Sequence, residues 1–257
     1  MRAAFAELCT ASNFSFLRGA SHPEELAMTA GALGLSGLAV CDRNSMAGVV
    51  RAHMAAKEVV LRFVPGCRLA FLDGTPDLIV WPQDRAAYGR LTRLLTTGNR
   101  RAPKGECHLV VDDLGILEEG FPMALVLPAG LPEVDGVARV LTRLKDEFGK
   151  SVRLACALPR GPSDRRRLQL ATDLAKACGV SLLATNDVLY HAPGRRPLQD
   201  VVTCIRLHER LETAGRKLQV NAERHLKDAE DMARLFDAVP HALRESLKIL
   251  EEGSFSL

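Results

Sequence analysis

Short apolar segments alternate with amphipathic ones over most of the chain. Residues 37–42, 123–127 and 180–185 are apolar at nearly every position, which is typical of strands buried on both faces. Segments with apolar residues at helical spacing lie between them. The pattern predicts strands at residues 3–9, 37–42, 62–72, 78–81, 123–127, 152–158 and 180–185, and helices at 25–33, 45–57, 84–95, 134–148 and 163–178.

Strands of this kind, connected by helices, favour a parallel sheet covered by helices, and therefore an α/β fold. Some six or seven such units would allow the sheet to close into a barrel. The pattern changes near residue 195, after which no strand is predicted. We expect a barrel over residues 1–195 and a helical extension over residues 196–257. Because residues 253–257 show no feature that would end the fold, we expect the extension to lead toward a further domain. The helices of the extension are predicted at residues 197–208, 228–236 and 241–251, with a polar, irregular segment at 212–224.

Composition narrows the class of protein. The chain has 257 residues, 47% of them hydrophobic, and a formal net charge of +3, which by itself is too small to indicate binding to nucleic acid. The seven cysteines are scattered, with no C-x-x-C pair, which argues against a disulfide framework and a zinc knuckle. The first thirty residues lack the features of a secretory signal, and no apolar run approaches the length of a membrane span. We expect a soluble, cytoplasmic protein.

Polar side chains lie at the predicted carboxyl ends of several strands. Cys9, Asp42 and Asp187 each close a strand, and residues 66–68 lie in a fourth. In barrels of this type the carboxyl ends of the strands meet at one mouth, where catalysis takes place. Two carboxylates there indicate a metal or acid/base site, although aspartate after a strand is equally common as a turn former or helix N-cap.

Several longer runs resemble one protein family. The runs are AELCTASNFSFLRGASHP at residues 6–23, CDRNSMAG at 41–48 and ATNDVLY at 184–190, with further similarity at 47–53, 196–201 and 221–226. They are similar to the amino-terminal PHP (polymerase and histidinol phosphatase) domain of bacterial error-prone DNA polymerases, which are C-family enzymes. The resemblance implies a distorted TIM-type (β/α)7 barrel with a carboxy-terminal helical extension.

The same resemblance locates the metal-ligand positions of active relatives. Those relatives carry His-x-His after the first strand, Asp-His after the second, Glu at the end of the third and Asp-x-His after the last, and they bind divalent metal ions that activate water. In this chain the corresponding residues are Cys9, Ala11, Asp42, Arg43, Arg68, Asp187 and Leu189. Because Arg68 is a permanent cation, we expect no metal, no other cofactor and no catalytic residue here. Instead, we expect Arg68 to form an ion pair with Asp42 or Asp187.

The resemblance also implies a function. In the intact polymerase the domain would support damage-induced mutagenesis and translesion synthesis, with roles in DNA repair and replication. Its partners would be the remaining polymerase domains, DNA through those domains, mutagenesis-cassette proteins and the sliding clamp, but no membrane. The chain lacks the polymerase palm, so we expect no nucleotidyltransferase activity from it alone. Its role would be structural.

Two alternatives remain open. One is a free-standing PHP phosphoesterase that binds metal through Cys9, Asp42, Asp187 and further histidines. The other is a non-catalytic interaction module. Separately, basic residues near residue 100 could contact a nucleic-acid backbone or could simply be solvated; these are Arg100, Arg101 and Lys104.

Overall fold

The computed structural model describes residues 3–129, 133–253, 255 and 257. Seven strands alternate with helices over most of the chain. The strands are β1 (Ala6–Thr10), β2 (Gly37–Arg43), β3 (Phe63–Leu69), β4 (Leu78–Val80), β5 (Met123–Val126), β6 (Val152–Ala157) and β7 (Ser181–Thr185). The helices are α1 (Pro23–Ala32), α2 (Val49–Glu58), α3 (Arg85–Arg101), α4 (Val134–Phe148), α5 (Asp164–Cys178), α6 (Arg196–Leu207), α7 (Leu211–Ala214), α8 (Ala229–Leu235) and α9 (His241–Glu252).

The strands form one sheet in the order β1 to β7. The predicted parallel sheet is wrong at β4, which runs antiparallel to both β3 and β5. The reason lies in the connection from β3 to β4, which turns at Gly74, with φ of +82°, and contains no crossover helix. A short connection of this kind can join only antiparallel strands. The remaining neighbours are parallel, as the pattern predicted.

The sheet closes into a nearly complete barrel. Val188, just after β7, forms a parallel bridge with Thr10. Its amide donates to the Cys9 carbonyl at 2.9 Å, and its own carbonyl accepts from the Ala11 amide at 2.8 Å. Between β1 and β7 the carboxylate of Glu7 accepts hydrogen bonds from the Thr185 hydroxyl and the Asn186 amide. A side chain thus supplies acceptors where the two strands do not pair directly, and we call this junction of β1 with residues 185–188 the seam.

The barrel encloses an apolar interior that is separate from the layer beneath the helices. Alternate residues of the strands line it, among them Leu8, Ile79 and Trp81. Ile249 and Leu250 of α9 belong to the same cluster, and the Ser246 hydroxyl accepts from the Ala6 amide at 3.2 Å. The predicted domain boundary after residue 195 stays a prediction, but α9 packs against β1 and β7 and contributes to the barrel interior.

Two differences from the predicted elements bear on the basic residues near position 100. Helix α3 continues to Arg101, whereas the sequence pattern predicted a loop from residue 99. The polar segment after α6 includes the short helix α7, which was not predicted. None of the helices among the described residues is long and apolar enough to cross a membrane.

Candidate functional site

The carboxyl ends of the parallel strands, together with the residues just before β4, surround a cavity of about 750 Å³. Five of the seven positions inferred from the family resemblance line it, namely Ala11, Arg43, Arg68, Asp187 and Leu189. The other two, Cys9 and Asp42, are buried, with exposed fractions of 2% and 0%. The fold therefore brings these separated segments together at one mouth, as expected for a barrel.

Asp187 lies at the centre of the mouth and is bonded to two arginines. Its Oδ1 accepts from the Arg68 Nη1 at 2.7 Å, and its Oδ2 lies 2.6 Å from the Arg224 Nη2. Asp187 has φ of +46°, a left-handed conformation that aspartate tolerates better than most residues. Burial by itself would raise the pKa of Asp187, but the guanidinium groups of Arg224 and Arg68 lower it well below its usual range. Asp187 is therefore an ionised carboxylate.

Arg68 also contacts a second carboxylate. Its Nε donates to the Asp77 Oδ2 at 2.7 Å. The Arg43 Nη1 donates to the same oxygen at 3.0 Å. Arg43, Arg68 and Arg224 thus share two carboxylates, those of Asp77 and Asp187, in one chain of ion pairs.

Asp42 does not take part in this chain of ion pairs. Its Oδ1 accepts from the Ser12 amide at 2.8 Å and from the Ser15 hydroxyl at 2.7 Å. Its Oδ2 accepts from the Ser12 hydroxyl at 2.7 Å. Burial raises the pKa of Asp42, and these hydrogen bonds oppose the shift. Of the two partners expected for Arg68, the structure places Asp187 against it, whereas Asp42 fixes the loop that follows β1.

Cys9 is a donor rather than a thiolate ligand. Its Sγ donates to the Asp187 Oδ1 at 3.3 Å. Burial and then the negative charge of Asp187 raise the pKa of Cys9 well above its usual range. Because only the thiolate is an effective metal ligand, this environment works against coordination by Cys9.

The side chains at the mouth do not fit a divalent metal ion. Among residues 3–129, 133–253, 255 and 257, no three His, Cys, Asp or Glu side chains are grouped so that they could hold one. The Asp187 oxygens are bonded to guanidinium groups, and those of Asp42 to hydroxyl and amide groups. Ala11 and Leu189 offer no donor atoms in their side chains.

The basic residues near position 100 lie outside this cavity. Arg100 and Arg101 end α3, and Arg101 pairs with Asp113 at 2.8 Å. Arg100, Arg101 and Lys104 are exposed and do not line the mouth. Contact with a nucleic-acid backbone at these residues stays a prediction.

Sequence reasoning did not single out several residues of the site. Asp77 and Arg224 are two of the five residues in the chain of ion pairs, and Ser12 and Ser15 supply the donors to Asp42. Arg224 and both serines stand in runs that carry the family resemblance, and this was the available signal. Asp77 stands in no such run. Glu7 was also missed; burial raises its pKa to about 7, although three hydrogen bonds oppose the shift.

Comparisons with known proteins agree with the family resemblance of the sequence. Residues 7–145 match the PHP domain family. The error-prone DNA polymerase of Caulobacter vibrioides is 49% identical over 253 residues, which cover 98% of this chain and 23% of that protein. The error-prone DNA polymerase of Brucella abortus is 49% identical over 258 residues, covering 98% of this chain and 24% of the relative. The chain thus spans about a quarter of the length of these relatives.

Two solved structures share the fold. An amidohydrolase from Chromobacterium violaceum, solved with bound sulfate and no metal, aligns with a TM-score of 0.52 and 16% identity over 73% of this chain and 88% of that one. A protein from Bifidobacterium adolescentis, assigned as a metal-dependent phosphoesterase, aligns with a TM-score of 0.53 and 12% identity over 72% of this chain and 88% of that one. At such low identities these similarities establish the fold alone.

Proposed function

The chain belongs to the PHP domain family, and we propose that it acts as the amino-terminal, non-catalytic PHP domain of an error-prone DNA polymerase. In the intact protein it would support translesion synthesis and damage-induced mutagenesis during DNA repair and replication in the cytoplasm. Nucleotidyl transfer would belong to the domains beyond this chain. Partners would be those domains, DNA through them, mutagenesis-cassette proteins and the sliding clamp.

One observation carries the non-catalytic assignment. Arg68 and Arg224 are bonded to Asp187 at the mouth where active relatives coordinate metal. A guanidinium group stays protonated, and therefore positively charged, at any physiological pH. The positive charge that metals would supply is thus built into the protein as a fixed structural group, which favours a scaffold over a phosphoesterase.

An exposed apolar stripe supports the scaffold role. Leu198, Val201 and Ile205 are spaced three and four residues apart along α6 and are exposed by 42%, 38% and 55%. Phe16, exposed by 80%, lies in the neighbouring loop, where the Leu17 carbonyl accepts from Arg206 of α6. Contiguous apolar residues on one helix face are typical of an interface. We propose that this stripe contacts the polymerase domains that follow the matched segment in the relatives.

The scaffold role can be tested in a chimera. This chain would replace the matching segment of the Caulobacter vibrioides polymerase, and primer extension and thermal unfolding would be measured. We expect the chimera to extend primers and Ile205→Glu to reduce both extension and melting temperature. Val60→Glu is the matched control, because Val60 is 95% exposed and lies outside the stripe, between α2 and β3. Equal behaviour of the two variants would contradict the proposed interface.

The non-catalytic assignment has a separate test. We expect protein purified without chelator to contain well under one equivalent of zinc, manganese or iron per chain. It should not hydrolyse phosphate monoesters in the presence of manganese. Robust turnover that disappears in Asp187→Ala, with a folded variant, would favour the free-standing phosphoesterase instead.

A further inference from the structure

Positive charge is concentrated on one helix of the protein. Helix α3 contains five arginines and no acidic residue. By contrast, helices α1, α2 and α4 to α9 each contain at least one Asp or Glu. Because the whole chain has a formal net charge of only +3, the chain outside α3 carries −2. The small net charge therefore conceals one strongly basic element.

Three of the arginines lie on one exposed face of α3. Arg85, Arg93 and Arg100 alternate there with Gly89 and Thr96, so that neighbouring members are three or four residues apart. Such spacings put residues on the same face of a helix, and all five residues are exposed. At a rise of about 1.5 Å per residue, the three arginines follow one another at about 12 and 10 Å. We call these five residues the cationic face.

The arginines of the cationic face differ from the other two of α3 in their contacts. Arg90 donates to two backbone carbonyl groups, and Arg101 pairs with Asp113 at 2.8 Å. In the part of the chain that the structure describes, the guanidinium groups of the cationic face form neither an ion pair nor a hydrogen bond. Their N–H donors are therefore available to a ligand.

The cationic face lacks the apolar centre of a typical protein interface. The leucines of α3, Leu91, Leu94 and Leu95, are buried, and small residues separate the exposed arginines. At Gly89 an added Cβ would have no other group of the described chain within 4 Å. Protein interfaces are apolar and depleted of charge at their centre, whereas surfaces that bind nucleic acid are polar and positively charged. The composition of the face thus favours nucleic acid over an acidic protein.

The shape of the surface favours a single strand over a duplex. Helix α3 packs on the outside of the barrel through its leucines, and none of its described residues lines the cavity at the mouth. Its exposed face is therefore convex. Duplex DNA is stiff over about 150 base pairs, so it would touch a convex helix over only part of its length. A flexible single strand can follow all three arginines.

We propose that the cationic face of α3 binds the phosphate backbone of single-stranded nucleic acid through Arg85, Arg93 and Arg100, without preference for particular bases. Guanidinium groups suit this ligand because their planar N–H pairs bond two phosphate oxygens at once. Of the basic residues expected from the sequence, the face includes Arg100, whereas Arg101 already has a carboxylate partner. The contact belongs to this chain directly and is independent of the proposed scaffold role, in which other domains bind DNA.

The test is fluorescence anisotropy of the full chain with a labelled oligothymidylate, in EDTA, at about 50 to 200 mM salt. The triple variant Arg85→Gln/Arg93→Gln/Arg100→Gln should bind at least about tenfold more weakly, because charge-assisted hydrogen bonds are lost. The slope of log affinity against log salt should decrease by about 2, since each phosphate contact of a single strand contributes about 0.7. A duplex of the same length should bind more weakly than the single strand.

The matched control is Arg165→Gln/Arg166→Gln/Lys176→Gln, which removes three exposed cations from α5. Equal losses of affinity in the two triple variants would mean that binding is non-specific, and the proposed site would be wrong. Absence of binding to the wild type would also overturn it, as would tighter binding of the duplex. Stronger competition by poly-glutamate than by unlabelled oligothymidylate of equal charge would identify an acidic protein as the ligand instead.

Gly89→Glu provides a second test that keeps every arginine. The substitution places a carboxylate at the centre of the cationic face, where the structure has room for a side chain. We expect weaker binding of oligothymidylate and a melting temperature no lower than that of the wild type, because glutamate has a higher helix propensity than glycine. Unchanged affinity in this folded variant would contradict the proposal, even if the triple variant did not fold.

Discussion

Asp42 and Asp187 are two buried carboxylates at the same end of one barrel, and the protein surrounds them with opposite kinds of groups. Asp42 accepts hydrogen bonds from neutral donors, the Ser12 amide and the hydroxyls of Ser12 and Ser15. Asp187 accepts from the guanidinium groups of Arg68 and Arg224. Burial raises the pKa of Asp42, whereas for Asp187 the two arginines outweigh burial and lower it.

The difference shows that neither burial nor position in the fold decides the state of such a carboxyl group. The charge of its donors decides it. The two carboxylates also connect different parts of the barrel. Asp42 fixes a loop that follows the neighbouring strand, whereas Asp187 connects β3, the seam and the segment around Arg224. We therefore expect the Asp187 region to carry more of the stability of the barrel.

The largest effect is expected for Asp187→Ala. The substitution leaves Arg224 without its carboxylate and Arg68 with Asp77 alone. Removing one partner of a buried pair costs about 3 to 5 kcal/mol, and the Asp187 side chain is only 12% exposed. The free energy of unfolding in urea measures the loss. A loss no greater than that of Asp42→Ala would contradict the ranking of the two regions.

A smaller loss is expected for Arg68→Ala. Asp187 keeps Arg224 and Asp77 keeps Arg43 in this variant, so we expect about 2 to 3 kcal/mol, mainly from lost charge-assisted hydrogen bonds. Arg101→Ala is the control, because the Arg101 side chain in its pair with Asp113 is 48% exposed, and pairs of exposed arginines contribute about 0 to 1 kcal/mol. Urea unfolding of both variants tests the difference, and similar losses would mean that the mouth is as well solvated as the surface.

Gly48→Ala probes the Asp42 region without changing a charge. A Cβ at residue 48 would lie 2.7 Å from the Asp42 Oδ2 and 3.0 Å from the Ser12 Oγ. We expect a loss of about 1 to 2 kcal/mol, because close packing tolerates an added methyl group poorly. Gly89→Ala, in α3 with open space around the added Cβ, is the matched control and should not lose stability. Thermal unfolding of the two variants measures this difference in stability.

The smallest effect is a difference in pH dependence between Asp42→Asn and Asp187→Asn. The folded pKa of Asp42 is raised above 3.8, so the wild type loses stability as the pH rises through the window just above 3.8. The folded pKa of Asp187 is lowered, so the wild type loses stability as the pH falls below 3.8.

Relative to the wild type, Asp42→Asn should therefore gain stability as the pH rises, and Asp187→Asn should gain stability as the pH falls. For one titrating group, the free energy of unfolding can change by at most about 1.4 kcal/mol per pH unit. Urea unfolding between pH 3 and pH 6 measures both. Parallel slopes for the two variants would remove the electrostatic distinction between the regions.

Sequence patterns predicted some parts of this arrangement well. Helix α4 was predicted at its observed bounds, since its apolar residues recur at helical spacing. The antiparallel direction of β4 was not predicted, because it depends on the length of a connection that has no periodicity. Asp187 was placed at a strand end, but its partner Arg224 is 37 residues away along the chain. The pair between Arg68 and Asp187 joins residues 119 apart, yet it was expected, because both residues were placed at the same end of the barrel. Arg224 belongs to no strand, so nothing in the local pattern indicated that it reaches the mouth.

The seam has a consequence for the order of events during synthesis. Glu7 and Thr185, which meet there, are 178 residues apart. At about 5 to 20 residues per second, β1 waits on the order of ten seconds or more for its partner to be made. During this interval its edge is unpaired and open to association with other chains. The pair between Asp187 and Arg224 requires a further 37 residues, so in a nascent chain it can form only after every residue of the seam has been made.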